Sequence, residues 1–396
     1  MSANFRVLVM NQISALGLER LPPSIYQVGK EVADPDAILL RSADLHGAGV
    51  PQSVLAIGRA GAGTNNIPVA DMSQRGVPVF NAPGANANAV KELVVAAMLI
   101  AARNLPGALD FVRGLDPADV ALEKKVEGGK KTYAGFEIAG HTLGVIGLGK
   151  IGCLVADAAI ALGMKVVGYD PEITVDAAWN LPSQVVRAAS VSDLLKSSDF
   201  VTLHVPLVDA TRHLIGVRNI ELMRPGSVLL NFSREGVVDD EAVVSALDAQ
   251  QLRAYVCDFP NPESLRHPGV IALPHLGAST QEAEDNCALM VADQLRDYLE
   301  NGNIRNSVNF PEATMPRGTN YRIAIANANM PNMLGQISTT MADANLNIHD
   351  MLNKSRGDTA YTIVDVDSEV PWTVIDTLRQ IEGVLSVRYL PTGGRN

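Results

Sequence analysis

A glycine-rich segment near the middle of the chain constrains the fold more than any other feature. The letters GLGKIG at positions 147–152 follow an apolar run at 143–146 and open a helical stretch at 151–162. A second apolar run then ends at Asp170. A strand, a glycine turn, a helix and a second strand with an acidic end are typical of the βαβ unit that binds dinucleotides.

The three glycines of this segment have separate expected roles. Gly147 permits the tight turn, Gly149 lets the backbone approach a pyrophosphate, and Gly152 lets the helix and strand pack closely. Backbone N–H groups at the helix start then hold the phosphates. Asp170 accepts hydrogen bonds from the ribose hydroxyls and repels a 2′-phosphate, which favours NAD over NADP. The alternative is a glycine turn without a ligand, and the flanking elements argue against it.

Composition sets wider limits on the class of protein. A length of 396 residues predicts two or three domains, and 47% apolar with 19% charged residues is typical of a globular chain. The net charge of −11 argues against general nucleic-acid binding, although local cations can still attract an anionic small molecule. Cys153, Cys257 and Cys287 are scattered without CxxC spacing, so we expect neither a disulfide framework nor a metal site.

No segment predicts a membrane or export role. The longest apolar run, at 93–102, is about 15 Å long as a helix, which is half the thickness of a bilayer core. The apolar run near the N-terminus is too short for a signal peptide. We therefore expect a cytosolic (cytoplasmic) protein with no membrane partner.

The order of apolar runs and helix signals predicts an α/β protein. Strand-like runs alternate with helical stretches through the first ninety residues, and a second series of the same kind begins at Thr142. This alternation implies parallel sheets covered by helices, here two Rossmann-like or flavodoxin-like lobes with doubly wound parallel sheets. Residues 306–319 carry proline and glycine without periodicity, which predicts a linker. Residues 320–396 show the βαββαβ order of a ferredoxin-like domain.

Three polar residues follow predicted strands of the second series, where sheets of this type place their ligands. Arg234 follows the strand at 227–230, and its planar guanidinium can hold a carboxylate with two hydrogen bonds. His275 can exchange a proton with a hydroxyl, and Glu263 can orient and charge the imidazole. Any one of them alone is better explained as a surface or packing residue, but together they favour chemistry.

These residues and four further segments resemble the D-isomer-specific 2-hydroxyacid dehydrogenases. The segments lie at 59–63, 81–92, 231–236 and 274–280. The C-terminal unit resembles an ACT domain, and the likeness covers essentially the whole chain. It implies a substrate-binding domain at 1–90 and 272–305, an NAD-binding domain at 91–271 with a cleft between the two, and an ACT-like domain at 320–396 behind the linker.

The resemblance also implies roles for single residues. His275 takes the proton from a 2-hydroxyl, Glu263 orients His275, and Arg234 binds the substrate carboxylate. NAD binding is implied for Gly147, Gly149, Lys150, Ile151, Gly152, Asp170, His204, Val205, Pro206, Phe232, Ser233, Asp258, Gly277 and Ala278. Substrate binding is implied for Arg41, Ser42, Arg59 and Asn86. The chain departs from the family in the order Pro262-Glu263, where Glu-Pro is usual, and in Thr64-Asn-Asn66, where Val-Asp-Asn is common.

In serine-inhibited relatives, side chains of the ACT domain bind the effector between paired domains. Asn329 and Asn347 match two of those positions, so the implied effector is L-serine. Asn327 and Asn332 differ from the usual His and Gly, and a dimerisation module without a ligand is the alternative. Because the family pairs its NAD lobes and its ACT domains, a homo-oligomer is expected, either a dimer or a tetramer.

The implied reaction is the NAD-dependent oxidation of D-3-phosphoglycerate to 3-phosphohydroxypyruvate, the entry to L-serine biosynthesis. One alternative is an NAD-dependent dehydrogenase of another D-2-hydroxy acid that lacks a phosphate. The other is a non-enzymatic, NAD-sensing protein similar to transcriptional corepressors. The presence of Arg234, Glu263 and His275 together argues against this last reading.

Overall fold

The computed structural model describes residues 5–47 and 49–392 and contains two compact units. The first unit combines Met1–Asn86 with Gln281–Asn396, and the second is Ala87–Thr280. This division differs from the predicted boundaries at its edges, because the helix Ala87–Ala102 lies whole in the second unit. The C-terminal residues belong with the first unit rather than standing apart. The assignment of substrate, NAD and ACT-like roles to these segments stays a prediction.

The N-terminal part of the first unit forms a five-stranded parallel sheet of order β2-β1-β3-β4-β5. This is the flavodoxin-like strand order. Its elements are β1 (Phe5–Met10), α1 (Ala15–Leu18), β2 (Tyr26–Gly29), β3 (Ala37–Leu40), β4 (Ala56–Arg59), α2 (Val69–Gln74) and β5 (Val79–Phe80). All four residues of β3 are buried apolar side chains, as expected for a central strand covered on both faces.

The second unit contains a seven-stranded parallel sheet of order β12-β11-β10-β9-β6-β7-β8. Counted from its own first strand, β6, this is the order 3-2-1-4-5-6 of a Rossmann fold with one more strand added. Its helices are α3 (Ala87–Ala102), α4 (Leu105–Arg113), α5 (Leu122–Gly129), α6 (Lys150–Ala161), α7 (Val175–Asn180), α8 (Val191–Ser197), α9 (Val217–Ile220) and α10 (Asp240–Asp248). Its strands are β6 (Thr142–Ile146), β7 (Lys165–Tyr169), β8 (Val186–Arg187), β9 (Phe200–Leu203), β10 (Ser227–Asn231), β11 (Leu252–Cys257) and β12 (Val270–Ala272).

The chain returns to the first unit through the 21-residue helix α11 (Gln281–Asn301) and ends in an antiparallel sheet of order β14-β15-β13-β16. The C-terminal elements are β13 (Tyr321–Ala328), α12 (Met333–Asp343), β14 (Ile348–Arg356), β15 (Thr359–Val366), α13 (Trp372–Gln380) and β16 (Val384–Pro391). The βαββαβ prediction is confirmed, and the domain is ACT-like.

Both faces of this C-terminal sheet are covered. On one face, Ile323 and Ile325 of β13 pack in a core with α12 and α13. On the other face, Ala324 and Ala326 share a core with Tyr298 of α11 and other residues of the first unit. Alternate residues of one strand therefore serve two different cores, as the period of two in a strand requires.

The segment predicted as a linker, 306–319, is packed into the core of the first unit. Phe310, Ala313 and Met315 are buried in the core shared with the C-terminal sheet. The side chain of Asn309 accepts a hydrogen bond from the Val79 N–H at 2.9 Å. The prolines prevent a helix or strand here, but the apolar residues between them still supply buried contacts.

Arginines cap the last turn of α11, whose final four carbonyl groups have no N–H partner inside the helix. Two nitrogens of Arg388 donate to two of these oxygens, both at 2.8 Å. Arg322 and Arg317 each donate to one more, at 3.0 and 3.3 Å. The acceptors are, in that order, the carbonyls of Tyr298, Leu299, Asn301 and Glu300. The Tyr298 carbonyl also accepts from the N–H of Gly302, directly after the helix, at 2.9 Å. The positive guanidinium groups also interact favourably with the negative end of the helix dipole.

In the described ranges, no single helix is both long enough and apolar enough to cross a membrane. The pair α3 and α4 reaches that length and composition only when taken together, and it is bent by 68°.

Candidate active site

The glycine turn between β6 and α6 has the geometry that its sequence predicts. Gly147 has a φ of +92°, and a Cβ there would lie 2.5 Å from the carbonyl oxygen of His204. A Cβ on Gly152 would lie 2.0 Å from the Gly147 carbonyl oxygen. By contrast, among the described residues, its chain neighbours apart, no atom comes within 4 Å of the Cβ position of Gly149, the N-cap of α6. Two glycines therefore permit close packing, and the middle one leaves open space at the helix start, as a bound pyrophosphate needs.

Asp170 lies beside this turn at the end of β7. Its Oδ2 accepts a hydrogen bond from the Leu148 N–H at 2.8 Å, and its Oδ1 accepts one from the Glu172 N–H at 2.9 Å. These two bonds hold the carboxylate in place and leave further lone pairs on both oxygens. The position and the remaining acceptor capacity fit a ribose diol.

The loop after β9 begins with His204. Its Nε2 lies 3.0 Å from Thr202 Oγ1, while its Nδ1 is buried and has no hydrogen-bond partner among the described residues. Burial lowers the pKa of His204 to about 3, so the imidazole is neutral near pH 7. This loop, with Val205 and Pro206, thus presents an uncharged surface close to the glycine turn.

The turn after β10 is held by one side chain. The amide oxygen of Asn231 accepts from the Ser233 N–H at 3.1 Å and from its Oγ at 2.8 Å, and its Nδ2 donates to the Arg234 carbonyl at 3.0 Å. Phe232 is buried in the core beneath. Arg234 has extended backbone and a half-buried side chain that donates to the Ser233 carbonyl at 2.6 Å. Asn231 therefore positions Arg234 at the carboxyl end of the sheet.

Asp258 follows β11 and is almost fully buried, at 2% exposure. Its Oδ2 accepts a long hydrogen bond from the Gly277 N–H at 3.3 Å, whereas its Oδ1 has no partner among the described residues. Burial raises the pKa of Asp258 above its usual value, and the nearby charges of His275 and Arg234 act in the opposite direction. A buried carboxylate oxygen without a donor is costly. It therefore indicates a donor from a ligand, and the amide of a nicotinamide has the right chemistry.

His275 lies in the exposed loop after β12. Its ring contacts the ring of Phe259, with the centroids 4.4 Å apart and the planes tilted by 52°. The charges of His275 and Arg234 both favour the ionised form of Asp258. The structure therefore places an imidazole, a guanidinium and a buried carboxyl group after three different strands of one sheet.

Glu263 lies apart from this group. In the described residues it makes no ion pair or hydrogen bond with His275, and its N–H donates to Asn261 Oδ1 at 3.1 Å. It lines a pocket of about 550 Å³ together with Glu235, Asp239 and Asp240. The turn that begins at Asn261 contains the Pro262-Glu263 order in which this chain departs from the family. In this turn Glu263 lines the acidic pocket. The predicted pairing of Glu263 with His275 is not formed here and stays a prediction.

The predicted substrate residues lie in the first unit. Two of them bind side chains that the sequence did not predict for this site: Arg41 binds Glu284, and Arg59 binds Asn66. Arg41 Nη1 forms an ion pair with Glu284 Oε1 at 2.5 Å. Arg59 Nε donates to Asn66 Oδ1 at 3.0 Å, and Asn66 in turn donates to the Arg41 carbonyl at 3.3 Å. Asn66 therefore joins the side chain of Arg59 to the backbone of the segment that carries Arg41. The sequence signal that could have pointed to Asn66 is its place in an Asn-Asn pair directly after the glycine-rich turn at 61–63.

The other predicted residues of this set have fewer partners. The Ser42 N–H donates to Asn11 Oδ1 at 3.2 Å, and the Ser42 residue is exposed. Asn86 is half-buried and is the last residue before α3. Their contact with a substrate stays a prediction.

The predicted effector residues lie at opposite ends of the C-terminal sheet. Asn329 follows β13, whose last residue pairs with Thr359, and it donates to the Gly357 carbonyl at 3.0 Å. Asn347 precedes β14, whose first residue pairs with Val366, and it hydrogen-bonds Asp367. From Thr359 to Val366 an extended strand covers about 24 Å. One protomer alone therefore does not bring Asn329 and Asn347 together.

Known proteins that are similar in sequence include NAD-binding domains, in agreement with the fold and the glycine turn described above. Residues 105–277 match the model of the D-isomer specific 2-hydroxyacid dehydrogenase NAD-binding domain. The chain is 33% identical over 353 residues to the D-3-phosphoglycerate dehydrogenase of Escherichia coli strain K12, covering 86% of this chain and 82% of that protein. It is 35% identical over 334 residues to the protein of the same name from Methanocaldococcus jannaschii, covering 80% of this chain but only 59% of that longer protein.

Solved structures show the same architecture. The NAD⁺-bound 3-phosphoglycerate dehydrogenase of Entamoeba histolytica superposes with a TM-score of 0.60 at 24% identity, covering 78% of this chain and 99% of its own. The D-mandelate dehydrogenase of Rhodotorula graminis superposes with a TM-score of 0.66 at 22% identity, and the match covers 79% of this chain and 99% of that one. The predicted fold class, family and NAD cofactor are confirmed. The chain belongs to the D-isomer-specific 2-hydroxyacid dehydrogenases, a family of NAD-dependent oxidoreductases.

Proposed function

We propose that this chain oxidises D-3-phosphoglycerate to 3-phosphohydroxypyruvate with NAD, the first step of L-serine biosynthesis. The observation that carries the choice of substrate is its likeness to relatives named D-3-phosphoglycerate dehydrogenase, over 82% of the length of the Escherichia coli protein. Arg41 and Arg59, whose segments are joined by Asn66, supply two guanidinium groups that can bind a phosphate.

In this proposal, His275 is the acid–base group. Its exposed imidazole takes the proton from the 2-hydroxyl of the substrate, while bound NAD supplies the acceptor for the hydride. Arg234 holds the substrate carboxylate through two parallel hydrogen bonds and polarises the developing carbonyl. Glu263 stabilises the imidazolium of His275 once its loop brings the two side chains together.

The cofactor is held by residues that follow six strands, β6, β7 and β9 to β12. The N–H groups of Lys150 and Ile151, beside Gly149, bind the pyrophosphate, and Asp170 binds the adenosine ribose. Asp258 accepts a hydrogen bond from the nicotinamide amide through its unpartnered Oδ1. The flanking surfaces are formed by Gly147, Gly152, His204, Val205, Pro206, Phe232, Ser233, Gly277 and Ala278.

The C-terminal domain binds L-serine in this proposal and joins protomers into a homo-oligomer. Asn329 and Asn347 lie at opposite ends of one sheet, so a site that uses both needs two protomers. A two-fold pair of domains provides two such sites.

The test is oxidation of NADH by the purified chain with 3-phosphohydroxypyruvate, with and without L-serine. Turnover that serine suppresses supports both the reaction and the effector. Turnover that serine leaves unchanged supports the reaction and rejects the effector. A sample that binds NADH but does not turn over this compound rejects the proposed substrate, and a panel of unphosphorylated 2-oxo acids then separates another dehydrogenase from an NAD sensor.

A further inference from the structure

Arg41 already has an anionic partner within its own unit. Its Nη1 lies 2.5 Å from Glu284 Oε1, and the two side chains are 34% and 39% exposed. A guanidinium has five N–H donors, so Arg41 can bind a second acceptor beside Glu284. Glu284 therefore orients Arg41 and offsets its charge at the same time.

The backbone that carries Glu284 is held firmly. Its neighbour Asp285 accepts hydrogen bonds from the hydroxyl of Ser14 and, at 2.9 Å, from Gln281 Nε2. Two turns further along α11, Asp293 forms a bidentate pair with Arg20 at 2.7 and 3.1 Å. The arginine cap from the C-terminal sheet holds the far end of the same helix. Glu284 thus meets Arg41 from a fixed position rather than from a mobile loop.

Cys287 lies one turn after Glu284 on α11 and is buried. Burial raises the pKa of its thiol, the charge of Glu284 acts in the same direction, and the charges of Arg41 and Arg59 act in the opposite direction. Because the Glu284 carboxylate lies directly against Arg41, it offsets part of the positive charge that this guanidinium offers to a phosphate.

We propose that Glu284 is a positioning and specificity-determining residue that orients Arg41 and sets how strongly the site attracts a phosphorylated substrate. This inference rests on the proposed role of Arg41 in phosphate binding. Glu284 acts through Arg41 and does not touch the reacting atoms. A carboxylate at this point moderates anion affinity, while an amide keeps the hydrogen bond and lets the full positive charge of Arg41 act on the ligand.

The test compares Glu284→Gln with the wild-type chain. The amide still accepts from Arg41 Nη1, so we expect KM for D-3-phosphoglycerate to fall by about three- to tenfold at low ionic strength, as one unit charge near the ligand predicts. The kcat should change by less than about twofold, because the charge acts on ground state and transition state alike. The gain should shrink as salt is raised.

Three further variants distinguish the orientation of Arg41 by Glu284 from the effect of the Glu284 charge, and both from the effect of removing any negative charge on α11. Glu284→Asp restores the charge and should return KM toward the wild-type value. Glu284→Ala removes the hydrogen bond as well and should show a higher KM than Glu284→Gln. Glu282→Gln is the matched control, since it removes the same charge from an exposed side chain in the same first turn of α11. It should leave KM unchanged.

Titration calorimetry with inorganic phosphate gives a second readout that does not depend on the reaction. Tighter phosphate binding by Glu284→Gln than by both the wild type and Glu282→Gln supports the inference even if D-3-phosphoglycerate is not the substrate. An unchanged phosphate affinity in Glu284→Gln, or an equal gain in Glu282→Gln, overturns it. Turnover of D-3-phosphoglycerate with no effect of Glu284→Gln on KM also overturns it while the proposed function stands.

Discussion

At the scale of single residues, the proposed chemistry depends most directly on His275. Replacing His275 with Ala removes the group that takes the proton, and we expect kcat to fall by about two to four orders of magnitude. NADH binding, followed by fluorescence, should persist, because the imidazole lies in an exposed loop. His349→Ala, which removes another exposed histidine, is the control. Full activity in His275→Ala would exclude the proposed role.

Asp240 supplies a prediction about pH. Burial, followed by the charges of Glu235, Asp239 and Glu263, raises the pKa of Asp240 from 3.8 to about 6. A carboxyl whose pKa is raised on folding destabilises the folded chain as pH rises from 4 to 6, and the loss stays constant above that range. Asp240→Asn should therefore gain about 1–3 kcal/mol of unfolding free energy at pH 7.5 and nothing at pH 3.5. Denaturant titration at the two pH values measures the difference, and an equal effect at both would contradict it.

The sequence predicts the residues of the site better than their pairings. The glycines, Asp170 and the group Arg234, Asp258 and His275 all follow strands at one edge of one sheet, so local pattern and strand order suffice to place them. Glu284 could not be found in this way, because it meets Arg41 from a helix far along the chain. Asn66 lies only seven positions after Arg59, but the sequence does not show that its side chain binds Arg59. The actual surroundings of Glu263 likewise depend on a turn that its sequence does not specify.

At the scale of helices and strands, α11 is the element whose stability depends most on distant residues. Arg388 donates to two terminal carbonyls of this helix, and its guanidinium lies 4.4 Å from the ring centre of Tyr298. Arg388→Leu keeps the bulk but takes the Arg388 donor from the Leu299 carbonyl, while the Tyr298 carbonyl keeps its bond from the Gly302 N–H, so we expect a loss of about 1.5–3 kcal/mol. The matched control is Arg379→Leu on the exposed face of α13, which should cost under about 1 kcal/mol. Chemical denaturation compares the two, and equal losses would contradict the cap.

Regular elements with a clear period were predicted from local signals, whereas irregular and edge segments were not. The βαβ unit around the glycine turn and the C-terminal βαββαβ order have the alternation that their sheets require. The edge strand β2 was missed, since its sequence, YQVG, has only four residues and a polar side chain. The packing of 306–319 was missed because it depends on contacts with residues more than 200 positions away, such as Val79.

At the scale of the whole molecule, the C-terminal domain is part of the first unit rather than an appendage. A chain that ends at residue 319 would expose the core around Phe80 and Tyr298 and remove both Arg322 and Arg388 from α11. We expect this truncated chain to aggregate or to unfold at a temperature lower by at least about 10 °C. Thermal unfolding followed by circular dichroism tests this. An unchanged midpoint would show that the domain is a separate module.

The discontinuity of the first unit also has a consequence for how the chain is made. Residues up to Asn86 leave the ribosome first, but their packing partners lie in Gln281–Asn396, at the other end of the chain. Synthesis of residues 87–396, which are 310 residues (396 − 86), takes about 15–60 s at about 5–20 residues per second. The nascent N-terminal strands carry uncovered apolar surface until their partners emerge, whereas the second unit has all its own residues as soon as Thr280 is made. Early chaperone contact should therefore concentrate on the first 86 residues, and release should follow only once Gln281–Asn396 has emerged.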